Sequence, residues 1–250
     1  MRIQGQTSII TGGASGIGEA IVRRFVDEGS EVCIADINLE GANRLAAELG
    51  DAAWAIHVDV RDEASVKQVA DAAMDRWGRV DVLVNNAGAE LNKAYDEVTE
   101  DEWDLVIDTD LKGPWLFTKH VVPHMVAAGS GSAIYIASLN GLVGFPLASP
   151  YGGSKHGLVG YVKHVAIELA QSGVRFNCVC PGVIQTPMME RWTQLMPDQE
   201  EAQEMLRGMM PIGRMGRPEE IAGAVLFFAT EDSSLCQGSI LAVDGGWVAQ

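Results

Sequence analysis

Thr11-Gly12-Gly13-Ala14-Ser15-Gly16-Ile17-Gly18 follows a short apolar run, Ser8–Ile10, and opens a helical pattern near Ile17–Glu28. Glycines at 12, 16 and 18 let the backbone come close to a bound group, and a helix N-terminus beyond them favours negative charge. Strand, glycine loop and helix in that order predict a pyrophosphate nest, with Gly12, Ser15, Gly16, Ile17 and Gly18 around a dinucleotide. The spacing is GxxxGxG rather than GxGxxG, but the physics is the same. Read without a ligand, the stretch is a glycine turn between strand and helix.

The pattern continues outward. Glu31–Ala35, Ala53–Val58, Val80–Val84, Ala133–Ala137, Val174–Val179 and Ser239–Val243 read as further strands. Helical segments lie between them. Asn38 is placed to cap one, where Leu39, Ala42, Leu45, Ala46 and Leu49 share a face. Another runs from about Asp62 to Trp77. Thr99-Glu100-Asp101-Glu102 has the form of a capping box at the head of a long helix, which Pro114 is expected to kink. A helix from near Tyr151 to about Gln171 and one over Pro218–Thr230 complete the series. This alternation predicts an α/β fold: a doubly wound parallel sheet with helices on both faces, in a single domain over residues 1–250. Ligands bind such sheets at the carboxyl ends of the strands.

Two further features lie at those ends. Asp36 closes the second strand about 20 residues after the glycines, where a carboxylate binds ribose hydroxyls and repels a 2′-phosphate. No Arg or Lys occurs from Gly12 to Gly18, and Ile37 follows Asp36, so NAD is expected over NADP. Tyr151-Gly152-Gly153-Ser154-Lys155 puts a phenol and an ammonium four residues apart, on one helix face. A nearby cation lowers a phenol's pKa and so fits it for proton transfer to or from an alcohol oxygen. A Tyr and a Lys at that spacing are otherwise an ordinary exposed helix face.

Composition bounds the partners. A chain of 250 residues, 47% apolar, supports a large core. A net charge of −16 argues against nucleic acid and anionic membrane. No apolar run reaches the ~18 residues of a membrane span. The polar start Met1–Gln6 is expected not to be a signal peptide. Cys33, Cys178, Cys180 and Cys236 lie in or beside apolar segments without metal spacing, which suits reduced thiols in a cytoplasmic protein. The five histidines form no cluster, so no metal is expected.

Thr11–Gly18, Asp59-Val60, Asn85–Gly88, Ser138, Tyr151–Lys155, Pro181-Gly182 and Asp244-Gly245-Gly246 occur in an order and spacing that resembles the short-chain dehydrogenase/reductase family over essentially the whole chain. The resemblance implies a Rossmann-like, seven-stranded parallel sheet, a nicotinamide cofactor and a homotetramer. It makes Tyr151 the general acid/base. Lys155 would bind nicotinamide ribose hydroxyls and lower the Tyr151 pKa, and Ser138 would hold the substrate oxygen. Asp59 and Val60 would contact the adenine, Asn86, Ala87 and Gly88 would line the cofactor, and Pro181, Gly182, Ile184 and Thr186 would border the nicotinamide end. The family's usual asparagine in a pattern like Asn-Leu-x-Gly is here Asp110, in Asp110-Leu111-Lys112-Gly113. Either Asp110 keeps a water relay through its main-chain carbonyl, or its charge clamps Lys155 and shifts the pH profile.

The substrate side reads as residues 186–216, a candidate lid with seven of the ten methionines, among them Met188 and Met196, and with Trp192. Methionines fit irregular apolar shapes, though they also fit core or subunit packing. Leu139, Asn140, Val143 and Phe145 follow Ser138 and would face the pocket. Glu90 would meet a polar substrate group or else be a solvated loop charge. The tail Trp247–Gln250 is expected to bury against another subunit. The function these features imply is NAD-dependent interconversion of a secondary alcohol and its ketone, on a small molecule with an apolar body. The rivals are a binding protein that lost this chemistry, and an isomerase or dehydratase using bound NAD.

Overall fold

The computed structural model describes residues 1–194 and 198–250, with backbone only at positions 191, 192, 194 and 203. Seven strands form one sheet: β1 (Thr7–Thr11), β2 (Glu31–Asp36), β3 (Ala53–His57), β4 (Val82–Asn85), β5 (Gly131–Ile136), β6 (Val174–Pro181) and β7 (Ile240–Val243). Their order is β3-β2-β1-β4-β5-β6-β7 and all pairings are parallel. The fold is therefore the Rossmann-like, doubly wound sheet that the alternating pattern predicts.

Strand residues alternate between two cores. Ile10, Val32, Ile34, Val84, Ile134 and Val179 pack under α1 (Gly16–Asp27), α2 (Leu39–Leu49) and α9 (Pro218–Ala229). Ile9, Cys33, Leu83, Tyr135, Phe176 and Cys178 pack under α3 (Glu63–Trp77), α5 (Gly113–Ala128) and α6 (Ser149–Glu168). Both faces being covered, the strands carry near-continuous apolar runs. Among the described residues, no helix is long and apolar enough to cross a membrane, and all four cysteines are free.

The expected caps are present. Asn38 Oδ1 accepts from the Gly41 N–H at 3.0 Å, and Thr99 and Glu102 form the reciprocal box that starts α4 (Glu100–Ile107). Most strand ends shift by one or two residues, and β5 starts at Gly131 and β6 runs on to Pro181. β4 begins at Val82, not Val80, and just before it Asp81 turns its carboxylate onto Thr7, accepting from its N–H at 2.8 Å and its hydroxyl at 3.2 Å. The long helix is not simply kinked at Pro114. It passes through a π turn, Asp108–Lys112, whose wide ring closes with Gly113 N–H on the Asp108 carbonyl. Pro114 then sits in the first turn of α5, where its missing N–H costs little. The 186–216 stretch contains α7 (Pro187–Gln194) and α8 (Gln199–Met209). Met196 and the Trp192 side chain lie outside the described residues.

Candidate active site

The sheet reverses its winding between β1 and β4, and the loops leaving those two strands meet there. Thr11, at the end of β1, ties them together: its hydroxyl accepts from the Asn86 and Ala87 N–H groups at 2.9 and 3.0 Å. Asn86 returns the contact, its amide donating to the Thr11 and Gly12 carbonyls at 3.0 Å each. Its side chain thus shapes the glycine loop instead of simply lining a cavity.

The glycines divide their work. A Cβ on Gly12 would lie 2.8 Å from the Ala87 Cα, and one on Gly18 only 2.0 Å from the Gly12 carbonyl. Those two positions admit no side chain because the loop folds on itself. Gly16, with φ +57°, opens α1 opposite Thr186 and Pro187, whose atoms would lie 3.5 to 3.6 Å from a Cβ there. Ser15, the N-cap, makes no side-chain cap, so the first N–H groups of a 12-residue helix carry no side-chain acceptor from it. That donor set suits an anionic group such as a pyrophosphate.

Asp36 is buried at the end of β2. Its two carboxylate oxygens accept from Ala14 N–H at 2.9 Å and Asn38 N–H at 2.8 Å, which fixes it against the glycine loop. Asp59 is instead paired with Arg61, two contacts being 2.6 and 2.9 Å, and that guanidinium holds its carboxyl below the usual range. Val60 is buried against Gly113. Pro181 ends β6 and Ile184 pairs with Gly216, which roots the 186–216 segment on the sheet. Gly182 packs so closely on Asp244 that a Cβ would lie 2.8 Å from its Cα.

At the neighbouring edge stand Ser138, Tyr151 and Lys155. Ser138 lies two residues past the end of β5 and caps a short turn, Leu139–Gly141, its hydroxyl accepting from the Asn140 N–H at 3.1 Å. Tyr151 and Lys155 come from the first turns of α6. The Lys155 ammonium is buried, lies 5.4 Å from the Tyr151 ring centroid, and donates to the Ile136 carbonyl at 3.2 Å. Gly141 is required beside it, since a Cβ there would lie 2.8 Å from the Lys155 carbonyl oxygen. Asp110, in the π turn, is fully buried. Its Oδ1 accepts from Ala89 N–H at 2.7 Å and its Oδ2 lies 3.3 Å from Lys155 Nζ.

The charges do not settle as the helix spacing alone predicts. Burial pushes the Tyr151 phenol above its ordinary value; Lys155 and the Ser138 hydroxyl pull it down, while Asp110 and Glu90 oppose them. Lys155 thus lowers the phenol's pKa in the expected direction, and burial, the largest effect, keeps the phenol above its ordinary value. Burial works against the Lys155 ammonium, yet Asp110 and Tyr151 hold it above the ordinary lysine value. Burial lifts Asp110 above the ordinary carboxylate value, although Lys155 and the Ala89 N–H draw it back.

On the substrate side, Leu139 and Asn140 are buried, Val143 is half-buried and Phe145 is exposed, with its ring 6.4 Å from that of Trp247. Glu90 is half-buried and accepts from Asn92 at 2.9 Å. Met188 is half-buried on α7. Ala89, Ile136 and Gly141 carry no mark in the sequence, and Thr11, though part of the glycine stretch, has no role there of its own. Three act through backbone groups, or through the absence of a side chain, and leave no signal in residue type; the Thr11 hydroxyl shows its role only once β1 and β4 are adjacent.

Comparison with known proteins agrees with this geometry. A family model described as Enoyl-(Acyl carrier protein) reductase matches residues 12–248. The chain is 38% identical to 3-oxoacyl-(acyl-carrier-protein) reductase FabG of Thermotoga maritima, over 99% of this chain and all of that one. It is 40% identical to cis-4-hydroxycyclohexanecarboxylate dehydrogenase of Sinomonas cyclohexanicum, over 98% and 97% of the two chains. The crystal structure of levodione reductase superposes with a TM-score of 0.95 at 33% identity, covering 99% of both chains. The chain belongs to the short-chain dehydrogenase/reductase family and is similar throughout its length to oxidoreductases of that family.

Proposed function

We propose that this protein is an NAD-dependent dehydrogenase that interconverts a secondary alcohol and its ketone, with Tyr151 as general acid/base. The observation that carries the reading is the buried Lys155 ammonium, 5.4 Å from the Tyr151 ring centroid. A dinucleotide, when bound, supplies the hydride acceptor or donor. The uncapped start of α1 and the Gly16 backbone hold its pyrophosphate, and Asp36 takes the adenosine ribose hydroxyls. Tyr151 removes the proton from the alcohol oxygen, or returns it to the ketone. Ser138 donates a hydrogen bond to that oxygen and steadies the charge developing there. Lys155 favours the phenolate by its field and presents its remaining N–H to the nicotinamide ribose.

Asp36 supports NAD, because a fixed carboxylate repels a 2′-phosphate. The Met-rich 186–216 segment and Phe145 support a substrate with an apolar body, and the dehydrogenase from Sinomonas is named for a cyclic secondary alcohol. Free thiols fit a reducing, cytoplasmic setting. The whole-chain likeness to family members, with an apolar groove on the outer face of α5 and α6, fits a homotetramer.

Turnover of cyclic secondary alcohols, followed at the reduced-cofactor band, tests this directly. Tyr151→Phe should lower kcat on the order of 10²–10⁴-fold while NAD still binds. Equal turnover by that variant would remove Tyr151 from the chemistry.

A further inference from the structure

Asp110 is completely buried, and both of its carboxylate oxygens face donors. Oδ1 receives the Ala89 N–H at 2.7 Å, and Oδ2, which has no hydrogen-bond partner, lies 3.3 Å from the Lys155 ammonium as an ion pair. A carboxylate accepts on both oxygens, whereas an amide has one acceptor and one NH₂ donor. An asparagine here would set its NH₂ against either the Ala89 N–H or the Lys155 ammonium. The backbone N–H and the ammonium therefore favour an ionised aspartate over the amide of the same shape.

We propose that Asp110 is a positioning residue: an ionised carboxylate that holds Lys155 beside Tyr151, ties it to the Gly88–Ala89 loop, and adds one negative charge to the proton-transfer site. The proposal rests on Tyr151 being the acid/base. A position on Gly88 for a Cβ would lie 3.5 Å from Asp110 Oδ1 and 3.6 Å from Lys155 Nζ, so the loop expected to line the cofactor covers this pair. The π turn aims the side chain inward. Pro114, four residues on, offers no N–H to the Asp110 carbonyl, so ordinary α-helical closure is unavailable at that point.

The extra charge has a definite sign. Carboxylates near a phenol disfavour the phenolate, so oxidation should need higher pH than it would with a neutral residue at 110. The other titratable groups acting on the trio, among the described residues, are Glu90 from the loop after β4 and Cys178 and Cys180 from β6. Glu90 adds to the same effect. The two thiols are buried, and neither supplies a cation that would cancel it.

Asp110→Asn, assayed for alcohol oxidation from pH 6 to 11, should move the half-maximal point of the acidic limb down by about one pH unit. kcat should change and KM should stay nearly constant. An unshifted limb, or one moved upward, overturns the proposal. If that variant does not fold, or no alcohol is oxidised, carboxyl NMR of aspartate-labelled enzyme decides it without cofactor or substrate. One buried aspartate should be ionised at pH 7 in the wild type and should titrate at least one pH unit higher in Lys155→Met. A spectrum with no such resonance overturns the proposal. Absence of all turnover alongside a positive NMR result would instead reject the dehydrogenase reading and leave the ion pair standing.

Discussion

Tyr151 carries a proton only if its surroundings let it, and those surroundings were half visible in the sequence. The four-residue spacing to Lys155 is legible because a helix converts spacing into proximity. Burial is not, and neither is the approach of Asp110 and Glu90 from distant parts of the chain; together they leave the phenol above its ordinary value. Asp36 was more fully readable, because its place at the end of β2 already says what it faces. The backbone N–H groups of Ala14 and Asn38 fix both of its oxygens, so the negative charge cannot swing away from a 2′-phosphate. Asp36→Asn removes that charge at nearly constant shape. The ratio of kcat/KM for NAD to that for NADP should fall on the order of tenfold or more, since a like-charge contact costs a few kcal/mol. A wild-type preference for NADP would sink this account of Asp36.

Between residues and the whole stand the two loops at the sheet's switch point. The glycine pattern announced a loop of close approaches, but what approaches is chiefly the chain itself. Gly12 is open for the Ala87 backbone and Gly18 for the Gly12 carbonyl. Thr11 is the rivet, a buried hydroxyl taking two N–H donors from the neighbouring loop. Its role needs the β1–β4 adjacency, which linear order hides because β2 and β3 intervene in the chain. Thr11→Val keeps the shape and leaves both donors without their acceptor. A buried N–H left unpaired costs about 1–3 kcal/mol; these two are part-buried, so stability should fall by the lower end for the pair, roughly 2 kcal/mol, or about 4–8 °C in Tm. The KM for NAD should rise at the same time. A thermal scan and a cofactor titration check both halves, and an unchanged Tm would show that the loops hold together without this hydroxyl.

At the scale of the molecule, one sheet buries two apolar cores while the outer surface of α4–α6 stays partly apolar. Trp103 is 44% exposed, Trp115 42% and Ile167 75%. A groove of about 550 Å³ runs past Ile107, Leu111, Trp115, Gly157, Gly160 and Tyr161, well separated in lining from Ser138 and Tyr151. Gly160 explains how a second helix could come close: nothing in the protomer lies within 4 Å of where its Cβ would be. The first carbon of a leucine side chain at that position therefore meets no internal clash, and in a helix interior leucine is more favourable than glycine by about 0.5–1 kcal/mol. The protomer should fold at least as well as before. If the chain assembles through this face, wild-type sedimentation should give four times the 26.8 kDa protomer mass. Gly160→Leu should then give a smaller species with intact far-ultraviolet dichroism. Leucine that leaves a tetramer unchanged would move the contact elsewhere on the surface, and a wild-type monomer would dissolve the assembly proposal altogether. The distinction is sharp because the substitution adds bulk only to the outside of a helix whose inner face, Leu158, Val159 and Val162, already packs on the sheet.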